Sequence, residues 1–168
     1  MVYEDLDPIS WKVLAELQRD ARLSYAEVGR RVGLSTPAAA ERVRRLESGG
    51  VIEGYQARIN PARIGLRVGA FIRVRLSGSE SLAKRLTALA SQVPEVLECH
   101  RCTGEESFIL KVRVESVEHL EKLIDRFTPF GMTSTSLILS SPVERPGPAA
   151  MEYFKARHEP RPGSSGKP

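Results

Sequence analysis

The chain has 168 residues, with 25 Lys and Arg against 21 Asp and Glu for a net charge of +4. That length suits two small domains, each able to bury a core, and the modest positive charge permits nucleic-acid binding without demanding it. No apolar run nears the ~20 residues of a spanning helix, and Met1 to Asp5 lacks the basic-then-apolar layout of a signal peptide, so the expectation is a cytoplasmic protein without a membrane span.

Asp7-Pro8 opens a first helix as cap and first residue, and Ile9, Val13, Leu14 and Leu17 form its inward stripe up to about Asp20. Trp11 lies off that stripe, either as loosely packed surface or in a contact with a second subunit. The densest signals follow. Ser24 with Glu27 makes a capping box, and Leu23 with Val28 makes the hydrophobic staple around it. Gly33 stands where a helix end takes a positive φ, and Leu34 can fold back onto that end. Ser35 or Thr36 caps the next helix, Pro37 occupies its first turn, and Gly49-Gly50 ends it.

In this second helix of the pair, Ala39, Val43 and Leu46 form a narrow apolar stripe. Ser35, Thr36, Ala38, Glu41, Arg42 and Arg45 are expected to project outward, with short side chains first and guanidinium groups further along. A helix that enters the major groove of double-stranded DNA needs small or hydrogen-bonding residues at base edges and long cations at the flanking phosphates. Six arginines lie between Arg22 and Arg45, against Glu27 and Glu41. A solvated amphipathic helix also shows a charged face, but it does not require a tight joint and two caps around it, so the pair reads as a helix-turn-helix.

Val51 to Glu53 and Tyr55 to Ile59 are expected to pair around Gly54 as a small wing, with Tyr55 and Arg58 facing bound DNA. Alternatively, those two residues only tie the domains together. Asn60 to Gly65 interrupts the periodicity, which sets the organisation as a reader at 1–60, a linker at 61–65, a second domain at 66–143 and a tail at 144–168.

The second domain opens on strict alternation: Val68, Ala70, Ile72, Val74 and Leu76 against Arg67, Gly69, Phe71, Arg73 and Arg75. Leu82, Leu86 and Leu89 recur at helical spacing, Val96 to Thr103 and Ser107 to Val114 form a hairpin around Gly104, and Ser116 caps a helix bearing Val117, Leu120, Leu123, Ile124 and Phe127. Thr133 to Leu139 is the last strand. The order βαββαβ makes this an α+β protein with a ferredoxin-like sandwich, both helices on one side of a four-stranded antiparallel sheet. The open face should carry Phe71 or its neighbours with Ile109 and Ile138, and its expected cover is the same face of a second copy. Met151 to Lys155 reads as a short helical turn, and Glu159 to Pro168 as disordered.

The wording of Gly33-Leu34-Ser35 and Glu41-Arg42-Val43-Arg44-Arg45-Leu46-Glu47 resembles the recognition-helix region of the Lrp/AsnC, or feast/famine, transcription regulators, and the resemblance extends from Asp7 to about Val143. It implies a winged helix-turn-helix joined to a βαββαβ ligand-sensing domain. It also implies homodimers that often assemble into octamers, a pseudo-palindromic operator and a response to amino acids. In that family a Gly-Asp-aromatic-Asp turn contacts the effector between dimers. Gly104, Glu105 and the strand Phe108-Ile109-Leu110-Lys111 match the pattern, while Glu106 and Ser107 depart from it. The expectation is therefore an effector site at Gly104, Glu105, Glu106 and Ser107, where a glutamate pairs an α-ammonium group and turn N–H groups take a carboxylate. Thr133, Ser134 and Thr135 are further polar candidates, and an ordinary charged hairpin turn is the plain alternative.

Cys99-His100-Arg101-Cys102 spells C-x-x-C, yet on a strand residues three apart point to opposite faces, so reduced structural thiols are expected. Neither a catalytic dyad, a phosphate loop nor a metal cluster is legible, and no cofactor is expected. Two other readings use the same architecture. A siroheme-decarboxylase-like enzyme would need a histidine and basic residues around a large cavity, and a nucleoid-organising protein would bind DNA with little sequence preference and no effector.

Overall fold

The computed structural model describes residues 6–78 and 80–144, together with Gly147, Ala150, Glu152 and Lys155. The chain divides into two compact units, one comprising Met1–Ala57 with Arg145–Pro168 and the other running from Arg58 to Glu144.

The first unit is built from α1 (Pro8–Arg19), α2 (Tyr25–Val32) and α3 (Thr36–Ser48). Asp7 caps α1 by accepting the Ser10 N–H at 2.7 Å, and Ser24 and Glu27 close the expected capping box on α2. Gly33 adopts φ 79°, and the Leu34 N–H returns to the Gly29 carbonyl at 2.8 Å, satisfying a carbonyl at the end of α2. Of the two candidate caps on α3, Ser35 is the one used, its hydroxyl accepting from the Ala38 N–H. Val13, Val28, Ala39, Val43 and Leu46 form the sealed core, with Leu14, Leu17, Leu23 and Ile52 packed against it. Ile9 does not join this core; the buried position on α1 next to Val13's turn is taken by Ser10, only 5% exposed. The Ala150 N–H donates to the Gln18 side-chain oxygen Oε1 at 3.0 Å, and Ala150, Glu152 and Lys155 are helical; the expected disorder of Glu159 to Pro168 lies outside the described residues.

The expected wing does not form. No strand occurs from Val51 to Asn60. The reason is competition for donors: Gly50 turns the chain at φ 70°, and the Val51 and Ile52 N–H groups both bond to the Leu46 carbonyl, at 2.9 and 3.0 Å. Two groups needed for a ladder are thereby used to finish α3, and Ile52 turns into the core instead of across a hairpin. The unit is a helix-turn-helix without a β-hairpin wing.

The second unit has β1 (Val68–Leu76), α4 (Glu80–Gln92), β2 (Val96–Arg101), β3 (Phe108–Val114), α5 (Val117–Phe127) and β4 (Gly131–Leu137). The sheet order is β2-β3-β1-β4 and every pairing is antiparallel, which is the ferredoxin-like sandwich expected. Ala70, Ile72 and Val74 of β1 and Leu110 and Val112 of β3 are fully buried with Leu86, Leu123 and Phe127 of the helices. β4 starts two residues earlier than the alternation suggests. Gly131, at φ 152°, lies so close to β1 that a Cβ would stand 2.1 Å from the Arg75 carbonyl, so the chain enters the ladder directly from the turn Thr128–Phe130. β2 ends at Arg101, two residues short of the expectation, because the Cys102 N–H bonds to the Ser107 carbonyl and closes the hairpin there.

The face of this sheet away from the helices is more polar than expected. Phe71, Ile109 and Ile138 are half-buried there, but Arg73, Lys111 and Arg113 stand between them in strand register. The Arg113 guanidinium lies over Gly69, where an added Cβ would meet it at 3.0 Å. Lys111 and His100 both reach Glu98, at 2.9 and 3.1 Å, and the Lys111 contact first, then that of His100, holds the Glu98 carboxyl below its ordinary value.

Candidate nucleic-acid interface and effector turn

The side of α3 opposite its core stripe carries Pro37, Ala38, Glu41, Arg44, Arg45 and Ser48, all exposed. Ser35, Thr36 and Ala38 are small and exposed at the N-terminal end, as expected for a helix end that approaches base edges closely. Arg45 bonds Glu41 one turn earlier at 3.2 Å, with both side chains more than half exposed. Such a pair is worth little in water and opens readily to a phosphate.

Arg42 is placed differently from the expectation. It does not project outward: its guanidinium pairs with Asp7 and reaches the Ser10 hydroxyl at 3.1 Å, leaving the side chain 28% exposed. The cause is its spacing. Arg42 stands three residues after Ala39 and four before Leu46, at the margin of the buried stripe, where α1 is within reach. Burial acts to raise the Asp7 pKa, but the Ser10 N–H and the Arg42 guanidinium outweigh it and hold the carboxyl below its ordinary value. A second tie of this kind joins α1 to α2, since Glu16 accepts from Arg31 at 2.9 Å and from Arg19 at 3.0 Å.

The six arginines from Arg22 to Arg45 thus divide by task. Arg31 and Arg42 fix the helices on α1, Arg45 makes an exposed pair, and the guanidinium groups of Arg22, Arg30 and Arg44 form no ion pair with a carboxylate among the described residues. Arg44 is not among the residues expected to project outward, although its place two residues before the inward Leu46 and one after Val43 points it away from the core. Tyr55 turns back to α3, donating its hydroxyl to Glu47 at 2.9 Å; burial first, then the Glu47 carboxylate, pushes its pKa up to about 12. Arg58 belongs to the second unit, where it pairs with Glu144 at 2.9 Å, and so is not gathered with the α3 residues.

At the hairpin turn between β2 and β3, Gly104 adopts φ 108°, a conformation that L side chains rarely take, and open space surrounds its Cβ position. Glu105 is exposed and pairs with Arg75 at 2.7 Å, a contact between residues 30 apart that no local motif announces. Ser107 is structural: its N–H bonds to the Val74 carbonyl at 2.9 Å and its hydroxyl accepts from the Leu76 N–H at 3.2 Å. Glu106 is half-buried. Thr133, Ser134 and Thr135 do not form one cluster, because Thr133 and Thr135 lie in register with Val74 and Ile72 of the helix-covered face, whereas Ser134 lies beside Arg73 on the other. Separately, a groove of about 500 Å³ runs along α4 and β2, lined by Lys84, Thr87, Cys99, Arg101 and Phe108, and includes no part of the turn. Burial raises the Cys99 thiol pKa, and Cys102 lies past the strand with its sulfur 3.8 Å from the His100 carbonyl.

A capped helix pair with an outward basic face, joined to a ferredoxin-like sheet, defines a DNA-binding regulator with a separate sensing domain. Comparison with known proteins agrees unit by unit. Residues 6–47 match the family model of the AsnC-type helix-turn-helix domain, and residues 69–148 that of the Lrp/AsnC ligand binding domain. The chain is 43% identical to the HTH-type transcriptional regulator YezC of Bacillus subtilis, over 81% of this chain and 95% of that protein. Among solved structures it is similar to B. subtilis LrpC, with a TM-score of 0.79, 32% identity and coverage of 83% of this chain and 99% of that one. It is also similar to the transcriptional regulator NMB0573 of Neisseria meningitidis in complex with L-Met, with a TM-score of 0.80, 27% identity and coverage of 84% and 94%. The chain belongs to the Lrp/AsnC family and is a DNA-binding transcriptional regulator of the effector-responsive kind. No helix among the described residues is long and apolar enough to cross a membrane.

Proposed function

We propose that this regulator binds a pseudo-palindromic operator in double-stranded DNA as a homodimer or a multiple of dimers, acts in the cytoplasm, and takes an amino acid as its effector. The observation that carries the DNA part is the outward face of α3, where Arg44 and Arg45 stand exposed beyond a small-residue N-terminal end. Ala38 and Glu41 lie where base edges would be, Glu41 being able to accept from cytosine N4, and the arginines lie where phosphates flank the groove. Ser35 and Thr36 offer hydroxyls at the helix entry. Tyr55 supports the end of α3 rather than reading DNA. In this scheme residues 1–60 read, 61–65 link, and 66–143 sense and assemble.

The half-buried Phe71, Ile109 and Ile138 support a second copy as the cover of the open sheet face. The relation to a protein solved with L-Met, and the open turn at Gly104, support an amino acid as effector. Selection of bound fragments from the source genome, with and without a panel of amino acids, tests both parts. Inverted half-sites one helical turn or a multiple apart are expected, with occupancy or footprint length changed by at least one amino acid. Equal binding to random and selected DNA would favour the nucleoid-organising reading.

A further inference from the structure

Burial on α1 extends past the side that faces the core. The inward stripe is Ser10, Val13, Leu14 and Leu17, yet Ala15, on the opposite side of the helix from Val13, is half-buried. Trp11 and Gln18, one turn to either side of Ala15, also lie off the core stripe, and the Trp11 indole nitrogen is shut off from solvent. The C-terminal segment reaches this side of the helix. Residues 145–168 belong to the same compact unit as α1, α2 and α3, and the Ala150 N–H donates to Gln18 Oε1 at 3.0 Å. Ala150 is 6% exposed, and a Cβ added at Gly147 would stand 3.9 Å from Gln18 Nε2. Glu152 and Lys155, on the far side of the helical part that Ala150 opens, are exposed, so one side of it meets the unit and the other meets water. Residues 149–168 lie beyond both regions matched by the family models, 6–47 and 69–148, which makes this contact an addition to the shared two-unit plan.

From this geometry we infer that the C-terminal segment is a clasp, docked through Ala150 on the outer side of α1, and that it strengthens DNA binding by holding the helix on which α3 is positioned. α1 carries the ties to both other helices: Asp7 and Ser10 engage Arg42 of α3, and Glu16 engages Arg31 of α2. A displacement of α1 is therefore felt at the recognition helix. A three-helix unit of this size has a small core, so one further contact on its outside is a sizeable part of what keeps it rigid. Ala150 suits the contact, because its methyl lets a backbone N–H come within reach of a side chain on the facing helix, where a longer side chain would hold the two apart. The occupant is the chain's own segment. Being covalently joined, it docks at an effective concentration that a free partner does not reach. A firmly held α1 leaves Arg44 and Arg45 already placed for phosphate, so that DNA does not have to organise the reader first.

The full-length protein, a chain ending at Pro146 and the variant Ala150→Glu are compared by hydrogen exchange and by affinity for one duplex recovered from the genomic selection. In the full chain, amides from Ala150 to Lys155 should exchange on the time scale of α1, far more slowly than unprotected chain. In the shortened chain and in Ala150→Glu, exchange of α1 should quicken by about tenfold and DNA affinity should fall by about fivefold to tenfold. The slope of log affinity against log salt should stay as in the wild type, because no phosphate contact is lost. A peptide of residues 145–168 added to the shortened chain should restore both readouts as its concentration rises, and Glu152→Ala and Lys155→Ala, at exposed positions, should change neither. A short thiol cross-linker should join Gln18→Cys to Gly147→Cys within one polypeptide, in a chain that also carries Cys99→Ser and Cys102→Ser. Were the altered chains to misfold, exchange at Ala150 to Lys155 in the full chain still decides. Unprotected amides there, cross-links between two polypeptides, or α1 exchange unchanged by shortening overturns the clasp. So does a shortened chain that binds the duplex as tightly as the whole one, or a flattened salt slope, which would put the segment on the DNA itself.

Discussion

The two units place their ion pairs differently. In the helix-turn-helix the carboxylates Asp7 and Glu16 hold Arg42 and Arg31 against α1, which leaves Arg44 and Arg30 outward and without an ion pair among the described residues. In the sheet domain Arg75 at the turn pairs with Glu105 and Lys111 on the open face pairs with Glu98, whereas Arg73 reaches the Ser136 hydroxyl and Arg113 lies over Gly69. A surface built to meet a polyanion keeps cations unmatched, because their attraction to phosphate is then not offset by a displaced carboxylate. Arginine count along the sequence does not distinguish these cases; partner geometry does.

The largest expected effects come from the glycine on which each unit closes. Gly131→Ala should destabilise the sheet domain by about 3 kcal/mol or more, because the new Cβ would meet the Arg75 carbonyl while φ stays positive. Gly29→Ala puts a Cβ 2.6 Å from the Leu34 carbonyl at the helix joint and should cost about 1–2 kcal/mol after the gain in helix propensity. Urea unfolding followed separately in the two units checks both. Loss confined to the substituted unit would sharpen the comparison, and a loss shared equally would break it.

Much of the reader was legible because its signals are local. The Ser24–Glu27 box, Gly33 and the Ser35 cap each depend on residues within a few positions, and the structure uses them as expected. Arg42 was misread because its partners lie 35 and 32 residues away, on a helix whose stripe was assigned to Ile9 in place of Ser10. The wing does not form because two short stretches around Gly54 say nothing of which N–H groups the end of α3 has already claimed. In the sheet domain the alternation of β1 fixed faces correctly, but the Arg75–Glu105 contact arises from strand register and turn position, neither of which is written in any short stretch.

Smaller effects concern the ties themselves. The Asp7 carboxyl is held below its ordinary value of 3.8, so its contribution to stability is present above that pH and is lost as pH falls through the lowered folded value. Acid unfolding of the helix-turn-helix should therefore shift to higher pH in Arg42→Ala, with a cost near neutrality of about 1 kcal/mol. Burial and the Glu47 carboxylate push Tyr55 up to about 12, so a tyrosine that ionises well above 10.0 should appear in a spectroscopic titration, and Glu47→Gln should bring it back toward 10.0. Its contribution is complete below the ordinary tyrosine value and disappears as pH rises through the folded one.

The division of labour among the arginines of α3 is tested most directly by the salt dependence of operator binding in Arg42→Ala, Arg44→Ala and Arg45→Ala. The account predicts that Arg44→Ala and Arg45→Ala each flatten the plot of log affinity against log salt by about one unit, with little change in fold stability. Arg42→Ala should instead lower stability and leave the slope as in the wild type, since its guanidinium is engaged by Asp7 and Ser10. A slope reduced by Arg42→Ala and untouched by the other two would contradict the placement of α3 described here.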